Sequence, residues 1–247
     1  MRRAALAAGA AAAGFGWMNG QLPSSQLYGA TINRERGAGR LIALTYDDGP
    51  NPRHTPDLVE VLERHGAHAT FLLIGRWAER EPGLVRELAA AGHAIGNHTY
   101  THPTMPLRSV RAIRDELARC RGAVEGAGVA FSEVDGAALM RPPYGRRRPA
   151  TLRTLRHEGY VPLLWSITCW DWRPRRTAKQ VTRHSFRARG GDIVLLHDGG
   201  SDEPAADRSA SVAATEDTIR RFAAEGFRFV SVPELVAAAR GERDPTL

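Results

Sequence analysis

Cysteine is nearly absent from this 247-residue chain: Cys120 and Cys169 are the only two, and they form no C-x-x-C pair. That excludes a disulfide framework and a cysteine-built zinc site. Beyond the N-terminus there is no apolar run approaching the roughly 20 residues that span a bilayer. Aromatic residues are only 7% of the chain, and no nucleic-acid-binding motif or basic, aromatic-interleaved surface stands out, so no nucleic-acid partner is expected. The net charge of +7 favours polyanionic surroundings in principle. The basic residues, however, are almost all scattered arginines, which reads as a composition bias. The densest run, Arg146-Arg147-Arg148, sits beside a candidate site and could help recruit an acidic polymer.

What is present fits a globular protein: 43% hydrophobic and 25% charged residues, in a length that suits one large domain. The first residues, MRRAALAAGAAAAGFGWMNG, pair a basic start with an Ala-rich apolar stretch. Residues 1–20 are read as a signal-like or membrane-anchor segment, 21–40 as a polar linker and 41–240 as the folded domain. Export or anchoring at the cell envelope is expected from that segment; a cytosolic extension is the alternative.

Within the domain, short β-rich apolar runs alternate with longer helical stretches. The runs are LIALTYD, ATFLLIG, HAIGNH, AALMRPPY, VPLLWSIT, DIVLLHD and FRFVSV. Several of the helical stretches stop at glycine. Seven strands, each followed by a helix, predict an α/β single domain built as a (β/α)7 barrel, with its chemistry at the carboxyl ends of the strands.

Those ends carry reactive residue types. LTYDDGP ends in Asp47-Asp48, two like charges side by side that call for a compensating cation or task. HTYTH sets His98 and His102 four apart; on a helical turn they lie about 40° apart around the axis, so both rings could meet one ion. Two histidines and a carboxylate form a common ligand set for a catalytic divalent metal. One aspartate could bind the metal while its neighbour handles the proton of a bound water. The other histidines, His54, His65, His68, His93, His157 and His184, read as surface or packing residues; His54, on the active face, could also touch sugar. Trp165 reads as barrel interior, and Trp170 as either a sugar-stacking platform or loop packing.

In order, TYDDGP, HTYTH, RPPYG, DW and LLH resemble the five motifs of the NodB-homology polysaccharide deacetylases, carbohydrate esterase family 4, over about Leu41 to Ala239. The resemblance implies a distorted barrel and metal-dependent removal of acetyl groups from sugars such as chitin-like oligomers, peptidoglycan or xylan. It implies Asp47 as general base, Asp48, His98 and His102 as metal ligands, and Arg141 orienting Asp47. The Tyr144 N–H would stabilise the oxyanion, Asp171 would orient the general acid His197, and Trp172 with Leu195 would wall the acetyl methyl. Zinc is the expected ion, with Co²⁺, Ni²⁺ or Mn²⁺ as alternatives; the expected partner is an acetylated carbohydrate, and a monomer is expected.

Two positions depart from the family pattern. Tyr46 stands where phenylalanine is usual, so its hydroxyl needs a partner. Thr168 replaces the first aspartate of D-x-x-D-W, which puts substrate contacts near Thr168 and Trp170 in question. The motifs do not separate N- from O-deacetylation. Two other readings are a deacylase of a lipid-linked sugar and a non-catalytic carbohydrate-binding barrel; the second would be expected to lack the base, a metal ligand or the acid.

Overall fold

The computed structural model describes Gly20 and residues 22–241, so the signal-like segment lies almost wholly outside the described residues. Strand β1 (Leu41–Asp47) is buried throughout and forms the centre of the sheet. Around it run β2 (Thr70–Leu73), β3 (Ala94–Asn97), β4 (Glu133–Val134), β5 (Ala137–Met140), β6 (Tyr160–Pro162), β7 (Ile167–Thr168), β8 (Ile193–His197) and β9 (Arg228–Phe229). The parallel neighbours run β6, β5, β3, β2, β1, β8, β7, with β4 forming an antiparallel hairpin on β5 and β9 pairing with the start of β1. The helices are α1 (Thr55–Arg64), α2 (Gly75–Ala78), α3 (Pro82–Ala90), α4 (Val110–Gly126), α5 (Pro149–His157), α6 (Ala178–Ser185), α7 (Ser209–Ala224) and α8 (Val232–Ala239). Among the described residues no helix is long and apolar enough to cross a membrane.

Strand alternation sorts the side chains into two layers. Leu44, Tyr46, Phe71, Leu73, Met140, Val194 and Leu196 belong to the larger core with helix residues such as Leu58, Leu117, Ile219 and Phe222. Ala43, Leu72, Leu139, Leu163 and Ile193 fill a second cluster on the opposite faces of these strands, inside the barrel. Asp47 shares the inner face with Ala43, and His197 shares it with Ile193.

The run VPLLWSIT, read as one strand, is two. Its first part, in β6, pairs with β5, and its last part, β7, pairs with β8. The hydrogen-bonded sheet is therefore not a closed ring, which is the distortion of this barrel. Residues 32–35, part of the stretch read as linker, lie across the opening. The Ile32 N–H donates to the Pro162 carbonyl (2.9 Å), the Leu164 N–H to the Ile32 carbonyl (2.6 Å) and the Glu35 N–H to the Gly191 carbonyl (2.8 Å). Arg34 reaches the fully buried Asp192, which also accepts a 2.6 Å bond from the Ser166 hydroxyl.

The Tyr46 hydroxyl has its partner, Thr215 on α7, at 2.8 Å. Thr215 also donates to the Ser211 carbonyl, at 2.9 Å. Tyr46→Phe therefore strands no group, and we expect it to lower unfolding free energy by about 1 kcal/mol, the net worth of one hydrogen bond. Urea denaturation would measure this. A loss several times larger would show that the hydroxyl supports more than Thr215.

Candidate active site

Asp47 is the last residue of β1 and pairs in register with His197, the last residue of β8. Register alone thus puts a carboxylate and an imidazole at one mouth of the barrel. The fully buried Arg141, following β5, donates to Asp47 Oδ1 at 2.5 Å and to the Leu164 carbonyl at 3.0 Å. Its own carbonyl accepts from His98 Nδ1 at 2.8 Å. One residue thereby orients both Asp47 and His98, and the bond to Nδ1 leaves His98 Nε2 with a free lone pair.

That nitrogen lies 3.5 Å from Asp48 Oδ1, and His102 Nε2 lies 3.3 Å from the same oxygen. One ligand atom from each of the three residues falls within 4.8 Å of the others, and all three residues are buried. Burial pushes His98 down to about 3 and His102 down to about 2, the neighbouring imidazole adding to the effect at His102. Both rings are neutral at neutral pH, as metal ligands must be. Burial, reinforced by Asp47, pushes Asp48 up to about 7 against the pull of His197 and Arg208. Its Oδ1 is buried without a hydrogen-bond partner. A buried carboxylate oxygen without a donor, faced by the Nε2 atoms of two neutral imidazoles, fits a divalent cation. Added Zn²⁺ is therefore expected to raise the thermal midpoint of metal-stripped protein, by an amount equivalent to about 2.7 kcal/mol when free metal is 100 times Kd. His98→Ala should abolish that shift; an equal shift in the variant would move the site elsewhere.

The two histidines are not on a helical turn. They flank a bend in which Thr99 has φ 68° and His102 has φ 60°. The Thr99 N–H donates to Asn97 Oδ1 at 2.7 Å and the His102 N–H to Thr99 Oγ1 at 3.0 Å. These local bonds, rather than helical periodicity, turn both rings to Asp48. Asp48 (φ 73°), Tyr144 (φ 59°) and Trp170 (φ 57°) share the left-handed backbone. Such non-glycine conformations persist only where the surroundings impose them, and they gather at functional sites.

On the other side of the mouth, His197 Nδ1 lies 3.0 Å from Asp171 Oδ1. Asp171 Oδ2 accepts the His197 N–H at 2.7 Å and the Ser211 hydroxyl at 2.8 Å. Burial opposes charge on both groups, yet their mutual attraction wins: Asp171 is held below the usual carboxylate range and His197 above the usual imidazole range. Ser211, on α7, carries no sequence signal for this contact. Trp172 packs on the His197 ring at 4.9 Å between centroids and Trp170 packs on Trp172 at 5.1 Å. Leu195 lies two residues before His197, on the same strand face. The Tyr144 ring sits edge-on to His102 at 4.7 Å. Gly145 and Arg146 donate their N–H groups to the Pro142 and Pro143 carbonyls; neither bond uses the Tyr144 N–H.

His54 packs, as its main reading has it, and the arginine run needs correction. His54 is nearly buried, with Nδ1 3.2 Å from Asp57 and Nε2 3.4 Å from Asp207. It braces loops and is not available to sugar. Arg147 is buried and spends its guanidinium on backbone carbonyls, so the triple-arginine run does not form one continuous basic surface.

Comparison with known proteins fits this geometry. Residues 34–163 match the family model described as polysaccharide deacetylase. The chain is 36% identical over 202 residues to a peptidoglycan-N-acetylglucosamine deacetylase of Bacillus cereus, covering 80% of this chain and 88% of the relative. This protein belongs to the polysaccharide deacetylase family. Another polysaccharide deacetylase relative is a chitooligosaccharide deacetylase of Azorhizobium caulinodans, 33% identical over 201 residues, covering 78% of this chain and 92% of the relative. Among solved structures, a pseudoenzyme of carbohydrate esterase family 4 from Bacillus anthracis superposes with TM-score 0.73 at 25% identity, covering 84% of this chain and 69% of that one. Because a polysaccharide deacetylase fold can be catalytically silent, the site residues must carry the functional argument.

Proposed function

We propose that this protein hydrolyses acetyl groups from N-acetylated sugars of an envelope or extracellular polymer such as peptidoglycan or chitin-like oligomers. The carrying observation is one barrel mouth that holds a base with its arginine, a three-residue metal cradle, and a histidine paired with a buried aspartate. No member of that set is missing, which favours an enzyme over a binding barrel. The names of the relatives support the choice of N-acetylated polymers.

Asp48, His98 and His102 would hold a divalent ion, with zinc the first choice for an N,N,O set. When bound, the ion supplies Lewis acidity toward the acetyl carbonyl and lowers the pKa of the attacking water. Asp47, fixed by Arg141, takes the proton from that water. The Tyr144 N–H donates to the oxyanion; Pro142 and Pro143, which have no N–H, stiffen the turn that presents it. His197, kept protonated by Asp171, gives its proton to the leaving nitrogen. Trp172 and Leu195 form the apolar wall against the acetyl methyl. Export to the envelope would bring the site to such polymers.

The test is acetate release by the purified full-length protein from chitooligosaccharides, peptidoglycan, acetylxylan and lipid-linked sugars. Release from the first two is expected. Release from lipid-linked sugar alone would establish the rival deacylase, and release from none would leave a binding barrel.

A further inference from the structure

The segment before β1 does more than cover the seam. Arg147 follows the turn that carries Tyr144, and its side chain is buried although it bears a charge. The guanidinium donates to the Leu22 and Ser25 carbonyls, both at 2.7 Å, and to the Gly145 carbonyl at 3.0 Å. The Arg147 N–H donates to the Gly20 carbonyl at 3.2 Å. At the same turn, a Cβ on Gly145 would collide with the Trp165 ring. Trp165 in turn lies under the Arg141 guanidinium, 5.6 Å from its centroid. The turn is gripped by an indole and by an arginine that ties it to Gly20, Leu22 and Ser25.

From this geometry we infer that Arg147 is a positioning residue, which makes the N-terminal segment part of the device that aims the Tyr144 N–H. A buried guanidinium keeps its place only if its donors are satisfied. Here the acceptors belong to two segments more than a hundred positions apart in sequence, so the charge can be satisfied only when both are in place. Tyr144 sits one residue from the gripped carbonyl in a left-handed conformation (φ 59°). Loosening the grip lets that residue relax, and an oxyanion donor loses its value when it is misdirected. The inference rests on the role proposed for Tyr144, but its mechanical half stands apart from catalysis.

The test compares wild type with Arg147→Met and Arg147→Lys in the full chain. Hydrogen exchange reads the mechanics whether or not the protein is active: in Arg147→Met the bonded amides of Gly145, Arg146, residue 147 and Ser25 should exchange faster together. A turn that stays protected while the Ser25 amide loosens would overturn the coupling. Kinetics read the function. A donor used in the transition state changes kcat, so kcat should fall about tenfold while KM stays within about twofold. Zn²⁺ affinity by calorimetric titration should be unchanged. Arg147→Lys, with a smaller fork, should fall between. A variant that only unfolds at lower temperature, with wild-type kcat when folded, would reduce Arg147 to a packing residue. A wild-type protein that releases no acetate from any substrate would instead sink the proposed function and leave the exchange result to decide the coupling.

Discussion

Asp47→Asn is expected to keep the metal site and to lose turnover by roughly 10²–10⁴-fold, the usual worth of a positioned acid–base group. Asparagine keeps the shape but cannot accept the proton. Asp47 lies 3.7 Å from His98 Nε2, within reach of the cradle without being one of the three converging ligands. The variant should therefore show the Zn²⁺-induced thermal shift of the wild type. It also leaves the buried Arg141 charge without a counter-charge, with only neutral acceptors, the amide oxygen and the Leu164 carbonyl, so a loss of stability accompanies the loss of rate. Rates must be read per folded molecule. Near-normal turnover would remove the base assignment, and a vanished metal shift would make Asp47 a ligand.

The second large effect is expected from Asp171→Asn. The Asp171 charge is the main influence that raises His197 against its own burial. With Asp171 present, the imidazolium survives to higher pH. With asparagine in its place, burial dominates, the His197 pKa falls and the proton is lost at lower pH. The alkaline limb of the kcat profile should move to lower pH, and turnover at neutral pH should drop by about 10²-fold. Asparagine can still meet the Ser211 hydroxyl and the His197 N–H that Asp171 binds, so the fold should hold. A pH profile that does not move, with turnover intact, would separate Asp171 from the chemistry.

Much of the site was legible because the sequence states it at strand ends. β1 and β8 are apolar runs that stop at Asp47 and His197, and a barrel brings such ends together whatever lies between. The spacing of His98 and His102 announced proximity but not conformation: the bend depends on Asn97 and Thr99 side chains bonding to local N–H groups, which no periodicity encodes. Residues 32–35 were unreadable for a related reason. They join the sheet through backbone hydrogen bonds, and a polar stretch without alternation carries no side-chain record of that. Ser211 and Arg147 are known only through long-range contacts, across 40 positions for Ser211 to Asp171 and 125 for Arg147 to Leu22. Trp165 divides β6 from β7 inside a run whose composition reads as uniform strand.

The one-to-one pairing of β1 with β8 ties folding to function by parity. Asp47 and His197 face inward because each lies an even number of residues from Ala43 and Ile193, their apolar companions inside the barrel. A slip of one position in either strand would turn Asp47 or His197 into the helix layer and bring Tyr46 or Leu196 into the mouth. A chain mispaired there is expected to lose this site and its core packing together. Recovered turnover after refolding would therefore count correctly registered molecules, with the barrel serving as its own proofreader.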